Sequence, residues 1–374
     1  MRLFGDVSSV SDPYLARALA LAERGRGTTS PNPVVGCVIV RDGVVVGEGW
    51  HERAGGPHAE VVALTAAGEA ARGATAYVTL EPCDHTGRTP PCSRALLRAG
   101  VARVVCGMPD PSPLASGGAA TLRAGGVDVS FADDPAPFLH ANEAWVHFVG
   151  SGGPFVRAKT AVTLDGHPSL ADGVRSQLTG EEARALTMRL RAHADAVMVG
   201  AGTVAVDDPA LTVRAEDGTV ADRQPLRVVL ARTAQPPATA RLFHDGLGPV
   251  VVLMPEHVTP DPELTGTGAR LVFFDIAEGM PGALKALAAQ GVAELFVEAG
   301  PRLLTALVEA DVVDELVVYH AGGFGGAVAP ALYVGESQED ASTLTRVLRC
   351  VEAECAGGDA VTVWRPHGES DDGG

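Results

Sequence analysis

Apolar residues recur along the chain with two periods, and the switches between them mark its elements. "PYLARALALAERG", from Pro13, sets apolar residues at helical spacing, and Asp12 followed by Pro13 suits a helix start. "VVGCVIVRDGVVVGEGW" gives two β-branched runs around Asp42-Gly43, a strong hairpin signal. "HAEVVALTAAGEAA" returns to helical spacing. "TAYVTL" is a short buried strand, and "CSRALLRAG" is a helix closed by Gly100. Strand "ARVVCGM", helix "GGAATLRAGG", strand "VDVSF" and helix "PFLHANEAWVHFV" complete a first α/β unit.

"GSGGP" at 150–154 has no apolar anchor and reads as a linker. A second α/β unit follows. Its strands are "PFVRAKTAV", "DAVMVG", "LRVVLA", "PVVVLM", "RLVFFD", "AELFVEAG", "DELVVYH" and "DAVTVWRP"; its helices are "GEEARALTMRLRAHA", "GALKALAAQG" and "PRLLTALVEA". "HGESDDGG" is polar and Gly-rich, a disordered tail by composition. The expected organisation is a first domain at 1–149, a linker at 150–154, a second domain at 155–366 and a tail at 367–374.

Composition narrows the function. A length of 374 residues suits two domains, and 46% hydrophobic content with only 5% aromatics means cores of Val, Leu and Ala. The net charge of −17 repels phosphate backbones, which argues against a nucleic-acid partner but leaves room for a small phosphorylated substrate held by a few arginines. No apolar run of about 18 residues occurs, so no membrane span is expected. "MRLFGDVSSVSD" lacks an apolar signal core and a cleavage site, and the chain reads as cytoplasmic. Six cysteines in such a chain suggest metal ligands or buried thiols rather than disulfides. Cys37 and Cys106, inside apolar strands, read as inert thiols; Cys350 and Cys355 lie in a weakly patterned stretch with no expected role.

The chemistry concentrates in "PHAE" and "EPCDHTGRTPPC". His58 opens one helix, Cys83 follows a strand, and Cys92 opens another helix. One His and two Cys fit a catalytic zinc site, which uses three protein ligands. Helix N-termini favour thiolates. Glu60, two residues after His58, is placed to move protons rather than to share the metal. H-x-E followed by P-C and a second Cys is the signature of the zinc nucleoside deaminases. The eight residues between the cysteines form a Gly/Pro-rigid turn that carries His85 and Arg88, the latter suited to phosphate.

"PNPVVGCVIV", "GEGWHERAGGPHAE", "ATAYVTLEPCDHTGRTPPC", "VARVV" and "DPSP" resemble the deaminase half of the bifunctional riboflavin-biosynthesis deaminase–reductases. "TLDG", "DDPALTVR" and "VEAGPRLL" resemble the reductase half, so the likeness spans nearly the whole chain. The resemblance implies a cytidine-deaminase-like three-layer α/β domain followed by a dihydrofolate-reductase-like α/β domain. It implies hydrolytic deamination of a diaminopyrimidinone carrying a ribosylamino 5′-phosphate, then NADPH-dependent reduction of the ribosyl side chain to ribityl. It implies one zinc ion held by His58, Cys83 and Cys92, with Glu60 as acid/base. Asn32, His51, His85, Arg88, Arg175, Arg191, Leu211, Arg214 and Glu298 would contact substrate. Lys159, Ala161, Gln177, Thr203, Asp207, Gly300, Pro301, Arg302 and Leu303 would contact the cofactor. A homodimer or homotetramer is the corresponding assembly.

"VEAG" running into "PRLLTA" offers backbone N–H groups to a phosphate on its own evidence, although no full G-x-G-x-x-G occurs. The chain departs from the family at "RSQLT", where Arg175 and Gln177 replace Ser and Trp, and at "HAGGFGGA", which lacks a Lys. "DPSP" has Ser112 where Asn is usual, and "LASGGAA" lacks an expected arginine. The alternative reading is a deaminase with a degraded or repurposed reductase domain.

Overall fold

Asp12 starts the first helix because its carboxylate supplies what the first turn lacks. Its Oδ1 accepts from Tyr14 N at 2.8 Å and Leu15 N at 3.1 Å, satisfying two otherwise orphaned donors. Helix α1 (Pro13–Ala22) follows. Strands β1 (Gly36–Arg41) and β2 (Val44–Trp50) pair antiparallel across Asp42 and Gly43. Those two residues have φ of 51° and 77°, the pair of left-handed conformations that a tight hairpin needs.

The computed structural model describes residues 9–86, 90–174, 176–215, 217–335 and 347–367. They divide into two compact units, Met1–Gly152 and Gly153–Gly374. After the hairpin, the first unit continues with α2 (Ala59–Ala67), β3 (Thr75–Val78), α3 (Cys92–Ala99), β4 (Arg103–Cys106), α4 (Gly118–Ala124), β5 (Asp128–Phe131), α5 (Ala136–Ala141) and α6 (Glu143–Ser151). Its five-stranded sheet has the order β2-β1-β3-β4-β5. β1 is antiparallel to β2 and β3, whereas β3, β4 and β5 run parallel. Alternation along β1 sends Cys37 and Ile39 into one apolar core and Val38 and Val40 into another, so both sheet faces are covered. Gly49 on β2 lets α2 press close: a Cβ there would overlap Ala59 O and Val62.

The second unit comprises β6 (Phe155–Val162), α7 (Glu181–His193), β7 (Ala196–Gly200), α8 (Ala201–Asp207), β8 (Leu226–Leu230), β9 (Val250–Pro255), α9 (Pro262–Thr265), β10 (Arg270–Phe274), α10 (Gly279–Ala288), β11 (Glu294–Glu298), α11 (Pro301–Glu309), β12 (Glu315–His320), β13 (Leu348–Ala356) and β14 (Asp359–Pro366). They form one nine-stranded sheet, β10-β9-β8-β7-β11-β6-β12-β14-β13. The first seven strands in that order are parallel, and the runs of Val, Leu and Ala in those inside β10 are buried as parallel strands require, while β10 at the edge is half-exposed. β14 and β13 add antiparallel at the end. Arg157 on β6 pairs with Glu294 on β11 and, at 2.5 Å, with Glu315 on β12; Arg365 on β14 reaches Glu315 at 2.6 Å. This buried charge ladder ties four adjacent strands together.

Three expectations are revised. The helix read over "PFLHANEAWVHFV" is two helices, α5 and α6, broken at Asn142, whose amide bonds both Val34 N (2.8 Å) and Val34 O (3.0 Å). The stretch around Cys350 and Cys355 is strand β13, whose exposed edge position removes the apolar alternation that reveals a strand. "AGTVAVD", not read as an element, is helix α8. Residues 368–374 of the expected tail lie outside the described residues.

Candidate active site

His58 caps α2 from extended backbone, Cys92 is the first residue of α3, and Cys83 lies in the turn after β3. The fold brings them together. His58 Nδ1 lies 3.6 Å from Cys83 Sγ and 3.3 Å from Cys92 Sγ, and the three donor atoms all lie within 4.8 Å of one another. Tetrahedral zinc with ordinary N and S bond lengths needs donors about 3.5 Å apart. The donor chemistry points the same way. Cys92 hydrogen-bonds Cys83, which holds Cys83 as a thiolate and pushes Cys92 up, so the second thiol cannot ionise beside the first. A dication at this point neutralises both, and these residues fit zinc.

Glu60 sits in the first turn of α2 and is buried. Burial, followed by the Cys83 charge, raises its carboxyl to about 7, within reach of the pH at which proton transfer in both directions is efficient. The chain on either side of Cys83 is anchored by carboxylates. The Glu81 carboxylate accepts from Ala119 N at 2.9 Å and from Gly117 N and Asp110 N, each at 3.2 Å. Asp84 accepts from Ser93 Oγ at 2.5 Å and Thr121 Oγ1 at 2.7 Å. A Cβ at Gly118 would overlap Pro82 O, so this close docking needs a glycine.

A cavity of about 460 Å³ opens over these groups. Its lining includes His58, Glu60 and Cys83 together with Asn32, His51 and His85. His51 Nδ1 lies 3.0 Å from Pro57 O, a pure acceptor, so Nδ1 carries the proton. Burial, its largest influence, lowers the His51 pKa, and the ring is neutral. Its Nε2 therefore accepts from Asn32 Nδ2 at 3.3 Å. Asn32 is left with a carbonyl and one N–H for a ligand, a pattern that matches the edge of a pyrimidine. Asp110, Ser112 and Trp145 also line the cavity. Asp110, not singled out from the sequence, is pushed up to about 6 by burial; its signal was its place in "DPSP". Arg88 and Arg175 lie outside the described residues. Cys37 and Cys106 are buried thiols, pushed up chiefly by burial.

In the second unit a different cluster forms at the sheet. Lys159 on β6 is the direct register partner of Glu298 on β11. Glu298 is held by Arg191 of α7 through Nε at 2.5 Å and Nη2 at 3.0 Å, and Arg191 Nη1 donates to Thr212 O at 2.9 Å. Burial pushes Glu298 up, but Arg191 and Lys159 outweigh it and hold it below the usual range. Arg191 thus neutralises a carboxylate. Thr212 follows Leu211, whose φ of 54° is strained for a branched side chain. Ala161 lies two residues beyond Lys159, opposite Tyr319.

The neighbouring strands β7 and β11 both lead through glycine into helices, α8 and α11. A Cβ on Gly200 or Gly202 would meet nothing within 4 Å, and one on Gly300 only Thr203 Oγ1 at 3.8 Å. Thr203 and the turn Gly300–Leu303 therefore lie side by side around open space. First-turn N–H groups there suit an anion, and these residues fit a phosphate-bearing dinucleotide. Asp207 ends α8. Arg214 is exposed and bonds Gly218 O within its own turn. Gln177 is exposed, and Arg302 is exposed on α11. In the glycine loop after β12, Gly325 N and Gly326 N donate to Asp165 at 2.7 and 3.0 Å.

The fold and the two clusters define a two-domain enzyme that joins a zinc-dependent deaminase to a reductase. Residues 9–108 match the cytidine and deoxycytidylate deaminase zinc-binding region, and residues 154–362 match the RibD C-terminal domain. The chain is 42% identical over 332 residues to riboflavin biosynthesis protein RibD of Escherichia coli, covering 85% of this chain and 89% of that one. It is 38% identical to the Aquifex aeolicus RibD, covering 84% and 88%. The solved Acinetobacter baumannii RibD superposes with a TM-score of 0.86 at 36% identity, covering 95% and 98% of the two chains. A deaminase/reductase from Thermotoga maritima gives 0.82 at 30% identity, with the same coverage. The chain belongs to the RibD family of riboflavin-biosynthesis enzymes, with a zinc-binding deaminase domain and a reductase domain that uses NADPH.

Proposed function

We propose that the first unit deaminates a diaminopyrimidinone carrying a ribosylamino 5′-phosphate and that the second reduces the ribosyl group of the product to ribityl. The observation that carries the reading is the convergence of His58, Cys83 and Cys92 on one point beside Glu60, at the base of a cavity sized for one pyrimidine nucleotide.

When bound, zinc supplies Lewis-acid activation of the attacking water. Asn32, fixed by neutral His51, orients the pyrimidine edge. Glu60 takes a proton from the water as its oxygen adds to the amino-bearing ring carbon. It then returns a proton to the departing nitrogen as the C–N bond breaks and ammonia leaves. His85, at the rim, supports binding of the ribose phosphate, and Arg88 belongs to the same proposal by its sequence position.

When bound, NADPH supplies the hydride that adds to C1′ of the ribosyl group. Thr203 and residues 300–303 are the proposed cofactor cradle, with Asp207, Ala161 and Gln177 nearer its edges. Arg191 holds the Glu298 carboxylate in place. Lys159 Nζ carries a proton to the sugar oxygen released as the ring C–O bond opens. Leu211 and Arg214 are proposed to flank the substrate. The chain is further proposed to act in the cytoplasm as a homodimer or homotetramer; among the described residues no helix is long and apolar enough to cross a membrane.

Mass analysis of the product tests the reading. With substrate alone, the deaminated ribosyl compound should accumulate; NADPH should convert it to the ribityl compound, two mass units heavier by the added hydrogens. Failure of that second conversion would leave a deaminase with a repurposed second unit.

A further inference from the structure

The chain has 29 basic residues and only two of them, Lys159 and Lys285, are lysines. Lys285 is on α10 with an exposed side chain. Lys159 is on β6, in the interior of the sheet, and closely surrounded by protein. A chain that elsewhere relies on guanidinium keeps an ammonium at this one enclosed position. The two groups are not equivalent: guanidinium is planar and permanently charged, whereas an ammonium is compact and can give up its proton.

Both strands flanking β6 supply a partner. From β11, Glu298 is the register neighbour of Lys159. From β12, Tyr319 stands opposite Ala161, so it shares the lysine's face, diagonally one pair further on. Lys159 Nζ lies 4.7 Å from the centroid of the Tyr319 ring. That ring is fully buried, and its hydroxyl oxygen lies 3.4 Å from Thr187 Oγ1, itself bonded to Ala183 O. The ring is therefore held from behind by α7 while its face is turned to the ammonium.

We propose that Tyr319 is a positioning residue of the reductase site: its ring face from β12 and the Glu298 carboxylate from β11 hold the Lys159 ammonium between them. The proposal rests on the reading that Lys159 serves the reductase reaction. Among the described residues, the charged or titratable groups that face Lys159 are Glu298 on β11, Arg191 on α7 and Tyr319 on β12. Burial is the largest influence and lowers the lysine pKa; Glu298 opposes it and Arg191 adds to it. Tyr319 stays neutral, its own hydroxyl pushed up by burial, so it acts through the negative face of its ring. The ring keeps the proton on Nζ against the pull of burial and of Arg191, ready for transfer to the leaving sugar oxygen.

Two lysines make this directly measurable. The full chain is prepared with isotope-labelled lysine, and two side-chain signals are followed by NMR from about pH 6 to about pH 11. Lys159 should titrate below the ordinary lysine range. Tyr319→Leu should lower the Lys159 midpoint by about one pH unit, as expected for loss of an enclosed cation–π contact. Tyr319→Phe, which keeps the ring, should leave it within a few tenths of a unit, on the same basis. Tyr319→Met replaces the leucine variant if that variant does not fold. An unmoved midpoint in a folded ring-less variant overturns the proposal, as does an equal shift in Tyr319→Phe. The alkaline limb of NADPH oxidation should move with the NMR midpoint. A shifted midpoint in a protein that never oxidises NADPH would leave the hold of Tyr319 on the Lys159 ammonium standing and remove its role in a reductase reaction.

Discussion

Asn32 Nδ2 lies 3.3 Å from His51 Nε2, and the opposite nitrogen of that ring is fixed by Pro57 O. This chain of contacts sets both the tautomer of the histidine and the face that the asparagine amide offers. Asn32→Ala should lower kcat/KM for deamination by roughly 10- to 100-fold, the effect of one lost hydrogen-bonding group at the substrate. Zinc content should not change. Because His51 acts by orienting Asn32, His51→Phe should give a loss of similar size, and the double variant little more than either alone. Additive losses in the double variant would show that the two side chains act separately.

Glu60 stands apart from the three metal donors in role. Glu60→Gln keeps its size and removes its proton transfer. Ammonia release should fall by about 10²- to 10⁴-fold while bound zinc, measured by metal analysis, stays at the wild-type level. Unchanged turnover would refute the acid/base assignment.

The two clusters belong to different compact units, so they should fail independently. Cys92→Ala, or dialysis against a strong chelator, should abolish ammonia release. NADPH oxidation with the already deaminated ribosyl compound should persist at close to the wild-type rate. Its loss on chelation would show that the metal supports the second unit as well.

Stability of the second unit should depend on Glu315. Burial alone pushes this carboxyl up, but Arg157 and Arg365 outweigh burial and the net shift is downward. A carboxylate depressed in the folded state stabilises the fold above its unfolded pKa of about 4.3. That contribution disappears as pH falls through the lower folded value. Glu315→Gln should cost about 3–5 kcal/mol at neutral pH, since it leaves two arginines short of a partner. Its denaturation midpoint should also fall less steeply than the wild-type one below about pH 4. Parallel pH profiles would exclude Glu315 as the titrating group.

Much of the first unit was legible in the sequence because its signals are local. Asp12 caps a helix, Asp42-Gly43 turns a hairpin, and His58, Glu60, Cys83 and Cys92 stand in a tight motif. What was not legible depends on neighbours distant in sequence. The break at Asn142 exists because Val34 needs a hydrogen-bonding partner. Tyr319 reads as one more apolar residue in a buried strand until the sheet sets it diagonally from Lys159. Arg191, one of several basic residues near a helix end, acquires its partner only when the fold brings Glu298 to it. β13 hides because an exposed edge strand carries charge where alternation would show it.

The central claim is that one chain performs both reactions in succession. It is tested most directly by measuring ammonia released and NADPH oxidised in the same reaction, started with the diaminopyrimidinone ribose phosphate and run to completion. The account predicts equal amounts of each. Ammonia released in full with no NADPH oxidised would contradict it.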